Sequence, residues 1–315
     1  MGDQLRFYAY GQESALPIFL PLLQPYLPLS NPLYNRLKAP QNIPSRKCVF
    51  AATFSPSQPP PSSLGDHTIL FSDRSRHSES QIWVFNAIIS KPDPPSEHDN
   101  ALVDTHVQAM ISFLKTTEVP EAPGWPFDPC IKFSCFSERL AKPLLAYAYA
   151  KDAVTRTTEW NFWVIPTQSK NNLQHKNSLP EGYTISRVPP DQLDIVLSTS
   201  TIVRQRETML ALPSVGILNP EGKLVAWGFT GIDGSFATLY SLPECRGRGF
   251  ATYVAKELLG KLGRGEFRDL GFDGESGWAH SDVKVGNEGS EGVMRSIGGE
   301  VVFRAWYMMI DSDRL

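Results

Sequence analysis

The sequence predicts an α/β protein, and three observations carry that expectation. Residues 235–242 are apolar, β-branched and aromatic, as a strand requires, and Ala251, Val254, Ala255, Leu258, Leu259 and Leu262 then recur at helical spacing. The glycines of Arg246, Gly247, Arg248, Gly249, Phe250 and Ala251 therefore sit where a strand turns into a helix. The first half mixes strand-like runs at 47–54, 67–71 and 81–89 with an amphipathic helical pattern at 101–115. In the second half, Asn219, Pro220, Glu221 and Gly222 have the chemistry of a tight turn joining strand-like residues 214–218 and 223–230.

The elements follow in order. Residues 15–37 are rich in leucine but interrupted by Pro17, Pro21, Pro25, Pro28 and Pro32, which predicts short helical pieces. Residues 55–63 are low in complexity and read as a mobile loop. Residues 72–80, with Asp73, Arg74, Ser75 and Arg76, read as a solvated loop, and 91–100 as a proline-rich one. In the helix at 101–115 the apolar stripe is Leu102, Val103, Val107, Met110, Ile111 and Leu114. A second helix is expected at 140–150, with Pro143 tolerable in its first turn, and a strand at 159–165. Residues 168–180 lack any apolar period and read as a linker, which divides the chain into an N-terminal α/β domain at 1–170, a linker at 171–181 and a second domain at 182–315.

The second domain opens with a strand at 183–188 and helices at 190–198 and 203–212. Gly231 to Gly234 form a tight turn into the strand before the glycine pair. Five glycines at 263, 265, 271, 274 and 277 predict a flexible segment. A strand is expected at 278–285, then a helix at 290–297 capped by Asn287 and ended by Gly298 and Gly299, and a closing strand at 301–310.

Composition excludes several classes. With 315 residues the chain can hold two modest domains, and 41% hydrophobic with 20% charged residues is ordinary for a soluble globular protein. A net charge of −3 and no basic block give no electrostatic case for nucleic acid. Cys48, Cys130, Cys135 and Cys245 form no C-x-x-C pair, so zinc has no support and no metal is expected; free thiols in a reducing compartment are the expectation. The first residues lack the apolar core of a signal peptide, Arg6 stands where a myristoylation site needs Ser or Thr, and no run suits a membrane span. A cytoplasmic protein without a membrane partner is expected, its oligomeric state unreadable.

Glycines at a strand-to-helix turn let a ligand approach the backbone, and the first helical turn offers unpaired N–H groups and the positive end of a dipole. A Walker loop is excluded because no Gly-Lys-Ser/Thr follows, and a dinucleotide fingerprint needs a third glycine where Thr252 stands. An ordinary connecting turn remains the bland alternative. Arg246, Gly249 and Ala251, however, fit an Arg-x-x-Gly-x-Ala pattern that resembles the coenzyme A loop of the Gcn5-related N-acetyltransferase (GNAT) superfamily. Leu242, Pro243, Glu244, Cys245 and Arg246 are similar to the Leu-Pro-Glu-Tyr-Arg lead-in of the glycine N-acyltransferase family. Trp278 to Val283 with Asn287 and Glu288, Leu218 to Gly222, and Val225 to Trp227 are also similar to that family's elements, in its order, so that the resemblance covers residues 182–306.

The resemblance implies a mixed central sheet flanked by helices, in two modules of which the N-terminal one is degenerate. It implies acyl-CoA as co-substrate and a small amine or amino acid as acceptor. Two central strands would splay, here 236–242 and 278–285, with the backbone of Tyr240, Ser241 and Leu242 gripping the pantetheine arm. The residues from Arg246 through Gly247, Arg248, Gly249, Phe250 and Ala251 to Thr252 would hold the pyrophosphate, and Asn287 would begin the next helix.

Acyl transfer to an amine needs a positioned thioester, loss of a proton from the ammonium and a donor to the carbonyl oxygen. Here the sequence departs from the resemblance. The family's glutamate falls at Ser235, which is no base at neutral pH, and the superfamily's tyrosine falls at Met294. The remaining candidates are His280 and Asp282, alternate residues on one side of a strand, and Asp233, which as a turn residue reads as remote from the thioester. Both strand residues equally suit a plain hydrogen-bonding role at a sheet end. Trp227, Phe229, Trp278, Trp306 and Tyr307 are candidates for an apolar pocket or for plain core. Cys245 lacks the His-plus-acid setting of a nucleophile. The rival to an enzyme is a catalytically silent acyl-CoA-binding or partner-binding protein on the same scaffold.

Overall fold

A computed structural model describes residues 5–73, 79–117, 130–168, 175, 178–200 and 202–315. Most of the expected linker and the Arg74 to Arg76 loop lie outside these residues. The chain forms two compact units, Met1–Trp160 with Phe303–Leu315, and Asn161–Val302.

The first unit contains β1 (Tyr8–Tyr10), α1 (Gln12–Leu23), α2 (Asn31–Lys38), β2 (Val49–Ala52), β3 (Thr68–Asp73), β4 (Gln81–Asn86), α3 (Glu97–Thr116), β5 (Cys130–Ser137), α4 (Glu138–Tyr149) and the start of β6 (Val154–Pro166). The last strand, β12 (Glu300–Asp311), enters it at Phe303. Its strand order is β1-β2-β3-β4-β5-β12-β6. Pairing is antiparallel from β1 to β4 and between β5 and β12, while β4 and β5 are parallel.

The stripe predicted for α3 is what buries it: Val103, Val107, Met110, Ile111 and Leu114 join Leu140, Ala141, Leu144 and Leu145 of α4 in one core. Each of these side chains except the small Ala141 contributes about 1.5–3 kcal/mol by leaving water. Helix α3 starts four residues before the expected position because Ser96 and Asp99 form a reciprocal cap. Prolines broke fewer helices than expected. Pro17 and Pro21 lie inside the twelve-residue α1, and Pro143 lies in the second turn of α4. Each removes an N–H, but α1 still buries Ala15, Phe19, Leu22 and Leu23, and that burial outweighs the lost bonds.

The second unit holds β7 (Thr184–Ser186), α5 (Leu193–Thr199), α6 (Arg206–Leu210), β8 (Ser214–Leu218), β9 (Leu224–Thr230), β10 (Phe236–Ser241), α7 (Phe250–Gly263), β11 (Trp278–Lys284) and α8 (Glu288–Ser296). Strands β10-β9-β8-β7 form an antiparallel sheet. Strand β11 lies instead beside the later part of β6.

Helix α7 packs between these layers. Val254 approaches β9 at Gly228, where an added Cβ would lie 3.0 Å from Val254 Cγ1. Ala255 and Leu259 face a core of Trp163, Ile165, Ala279, Val283, Met294 and Ile297. The glycine-rich stretch after α7 is tightly folded, contrary to the flexible reading. A Cβ at Gly263 would lie 2.6 Å from the carbonyl oxygen of Thr167, and Phe267 is buried. Gly263 and Gly274 permit close backbone approach.

Candidate active site

Strand β10 ends in a short 3-10 turn, Pro243–Cys245, and the exposed residues 246–249 then lead directly into α7. Gly247 and Gly249 have φ of 76° and 79°, the left-handed region that side chains disfavour. A Cβ at either would meet nothing within 4 Å, so glycine is needed for the backbone turn and the space above it is open. Gly249 is the N-cap of α7 and supplies no side-chain acceptor to the first turn, which carries no acidic residue. Those N–H groups and the dipole suit an anion such as a pyrophosphate.

Two arginines flank the turn, each laid on a tyrosine. Arg246 lies over Tyr240, 5.6 Å from the ring centre, and donates to its hydroxyl at 3.4 Å. Tyr240 in turn stacks on Trp227 at 5.1 Å. Arg248 donates to the Tyr183 hydroxyl at 3.2 Å and lies 4.9 Å from the centre of the Phe250 ring. The Tyr183 bond, assisted by charge, raises the already high pKa of Arg248, so it is a permanent cation. Tyr183 carries no motif, and sequence reasoning missed it.

The expected splay is present. Strands β10 and β11 belong to different sheets and meet at a parallel bridge between Ser235 and His280, where the His280 N–H points to the Gly234 carbonyl at 3.4 Å. Beyond it they part. Thr238 has φ of 67°, and the β10–β9 register slips between Ala237 and Tyr240, so β10 bulges within this stretch. As an edge strand, β10 turns alternate backbone groups away from β9. Leu242 is not among the available groups: its N–H bonds Val225 and its carbonyl accepts from Cys245.

Asp233, expected to be remote, lies at the point of parting. Its Oδ1 accepts from the Ser235 N–H at 3.1 Å and from the Ser235 hydroxyl at 2.6 Å. Its Oδ2 is 3.9 Å from His280 Nε2. The turn brings the carboxylate back onto the first residues of its own strand, and the Asp-x-Ser spacing was the signal for this. His280 is wholly buried, with its ring 5.2 Å from Phe162. Burial lowers its pKa to about 4 and the Asp233 charge opposes this only partly, so the imidazole is neutral at pH 7 and the contact is no ion pair. Asp282 is half-buried, with a carboxylate oxygen within 4.8 Å of a His280 ring nitrogen, as expected for one side of a strand.

The other candidates divide. Asn287 caps α8, its Oδ1 accepting from the Ser290 N–H at 3.2 Å. Met294 is buried in the core around Trp163 and offers no acid. Trp227 and Phe229 are core, and Trp306 and Tyr307 belong to the first unit. Thr252 Oγ1 faces Ser296 Oγ at 3.3 Å.

The first unit repeats the plan, but among the described residues it has no open helix start of this kind after its β4. Strands β4 and β5 run parallel, paired at Ile82 and Phe133. The helix after β4 is α3, however, and its N-terminus is filled by the Ser96–Asp99 cap, with Glu97 and Asp99 in the first turn and Lys91 bound to Asp99 at 2.6 Å. Carboxylates there repel a phosphate.

Comparison with known proteins agrees with this plan. Residues 5–179 match the family described as acyl-CoA N-acyltransferase verG N-terminal domain. No curated protein sequence matches the chain. Among solved structures, a Drosophila protein is similar over 97% of this chain and 98% of its own, at 14% identity and a TM-score of 0.65. A tandem GNAT protein from the clavulanic acid biosynthesis pathway is similar over 98% of both chains, at 12% identity and a TM-score of 0.53. At such identities these two likenesses concern the fold alone.

Proposed function

Because the chain belongs to the acyl-CoA N-acyltransferase family of the verG N-terminal domain, within the GNAT superfamily, we propose that it transfers an acetyl or other acyl group from coenzyme A to a small amine or amino acid. The observation that carries this reading is the pair of left-handed glycines opening α7 beside the parting of β10 and β11. An acyl-CoA pyrophosphate fits the N–H groups after Gly249, with Arg246 and Arg248 beside it. Its pantetheine arm fits the free edge of β10, and its thioester then comes toward Ser235. Holding thioester and amine together supplies much of the rate in such reactions. The glycine N-acyltransferase likeness of residues 242–246 favours an amino acid acceptor; among the described residues no helix is long and apolar enough to cross a membrane.

A second reading, a silent acyl-CoA binder, is favoured by the burial of Met294 where an acid is expected. Thermal unfolding with acetyl-CoA and octanoyl-CoA, followed by thiol release with an amine panel, separates the two. At a hundred times the dissociation constant, acyl-CoA adds ~2.7 kcal/mol of stability. Gly249→Val removes that gain, while NAD and ATP give none. An unchanged melting temperature with every thioester would rule out both readings; stabilisation without thiol release favours the silent binder.

A further inference from the structure

Of the three polar side chains where β10 and β11 part, Ser235 is the most accessible. Ser235 is half-buried, whereas Asp233 is 6% exposed and His280 0%. A substrate meets the hydroxyl first, with the carboxylate directly behind it at 2.6 Å and the neutral imidazole 3.9 Å further on. The turn that builds this stack is tight: the Gly231 N–H bonds the Ser235 carbonyl at 2.7 Å, and a Cβ on Gly231 would lie 2.5 Å from Ser235 Oγ. Glycine at 231 is what lets the two side chains stand together.

We propose that Ser235 and Asp233 act as a proton relay, Ser235 as the catalytic group that touches the acceptor and Asp233 as the positioning residue that makes it basic. This rests on the acyl-transfer reading above. A serine hydroxyl alone does not hold an ammonium proton, but one whose own hydrogen already points at a carboxylate can exchange it. The acceptor N–H bond breaks and leaves its electron pair on nitrogen. That proton goes to Ser235 Oγ as the Ser235 proton moves to Asp233 Oδ1. The nitrogen forms a C–N bond at the thioester carbonyl carbon, and the C–S bond breaks with its pair on sulfur. Sulfur takes up the second proton of the nitrogen, and Asp233 returns its proton to solvent through Ser235. His280, neutral and packed on Phe162, bounds the carboxylate on its inner side.

The test uses the full chain, acetyl-CoA as donor and three acceptors: glycine and benzylamine, which are ammonium ions near neutral pH, and aniline, which is not. Asp233→Asn keeps the shape of the turn, and Ser235→Ala removes the hydroxyl. With glycine or benzylamine each should lower kcat by roughly two to four decades, with KM for acetyl-CoA within about twofold of the parent. With aniline, which needs no deprotonation before attack, the loss should stay below about tenfold. Adding Ser235→Glu to Asp233→Asn puts a carboxylate at the exposed position and should recover at least about tenfold. Equal losses on aniline and glycine, or a kcat for Asp233→Asn within about threefold of the parent, overturn the relay. Acetyl-CoA that raises the melting temperature but acylates none of the three amines overturns the relay and leaves thioester binding standing. Acetyl-CoA that does not bind overturns both.

Discussion

Arg248 and Tyr183, 65 residues apart in sequence, are joined at 3.2 Å by a hydrogen bond, with the guanidinium 5.3 Å from the centre of the ring. The contact fixes a cation beside the first turn of α7 that would otherwise sample many rotamers. Tyr183→Ala should therefore weaken acetyl-CoA binding by roughly a few-fold without unfolding the protein, the usual scale for an exposed cation–π contact. Titration calorimetry on the variant and on Arg248→Ala checks this. Equal affinities for Tyr183→Ala and parent would show that the ring does not position the cation.

Acid should destabilise the fold before its carboxylates titrate. His106 is buried, bonded through Nδ1 to the Thr68 hydroxyl at 2.8 Å, and burial lowers its pKa from 6.5 to about 4. His280 shifts in the same direction, also to about 4. The unfolded chain thus takes up these protons first as pH falls. Their contribution to stability is complete above pH ~6.5 and is lost as pH falls toward 4, at up to about 1.4 kcal/mol per pH unit for each group. Urea unfolding across that window should show the loss, and His106→Asn should flatten it.

Two left-handed glycines should respond differently to alanine. Gly222 has φ of 74° and open space around it, whereas Gly274 has φ of 70° and a Cβ there would lie 2.2 Å from the Leu262 carbonyl oxygen. Gly222→Ala should cost about 1–2 kcal/mol of backbone strain alone. Gly274→Ala adds an overpacking cost of about 1–3 kcal/mol. Denaturant midpoints measure both, and equal midpoints would contradict the packing described after α7.

One acyl-CoA should bind per chain. The N-terminus of α7 has no side-chain cap, while that of α3 is closed by Ser96 and Asp99. Native mass spectrometry with excess acetyl-CoA should show a single adduct that disappears in Gly249→Val. A second adduct, retained in that variant, would place a working site in the first unit.

Features that depend on near neighbours were legible in the residues. The turn at 246–249 was readable because left-handed backbone demands glycine, and Asn287 because an N-cap needs an oxygen acceptor. Strand β5 was missed: six of its eight residues are buried, so neither period 2 nor period 3.6 shows. The prolines of α1 misled because local propensity ignores the core that Phe19 and Leu23 enter.

The order of strands and helices in the second half, the left-handed glycine turn and the loss of the expected glutamate at 235 all follow from residue types and short spacings, since they rest on backbone sterics and on chemistry within a few bonds. Which group stands in for that glutamate does not. Asp233 and Ser235 are two residues apart and readable as a turn, yet their meaning comes from His280, brought by β11 from 45 positions onward. Burial sets the protonation of the imidazole, and burial comes from tertiary packing, with Phe162 of β6 5.2 Å from its ring. The exposure of Ser235 in front of a covered carboxylate is likewise set where two sheets part, by distances between segments that no local pattern encodes.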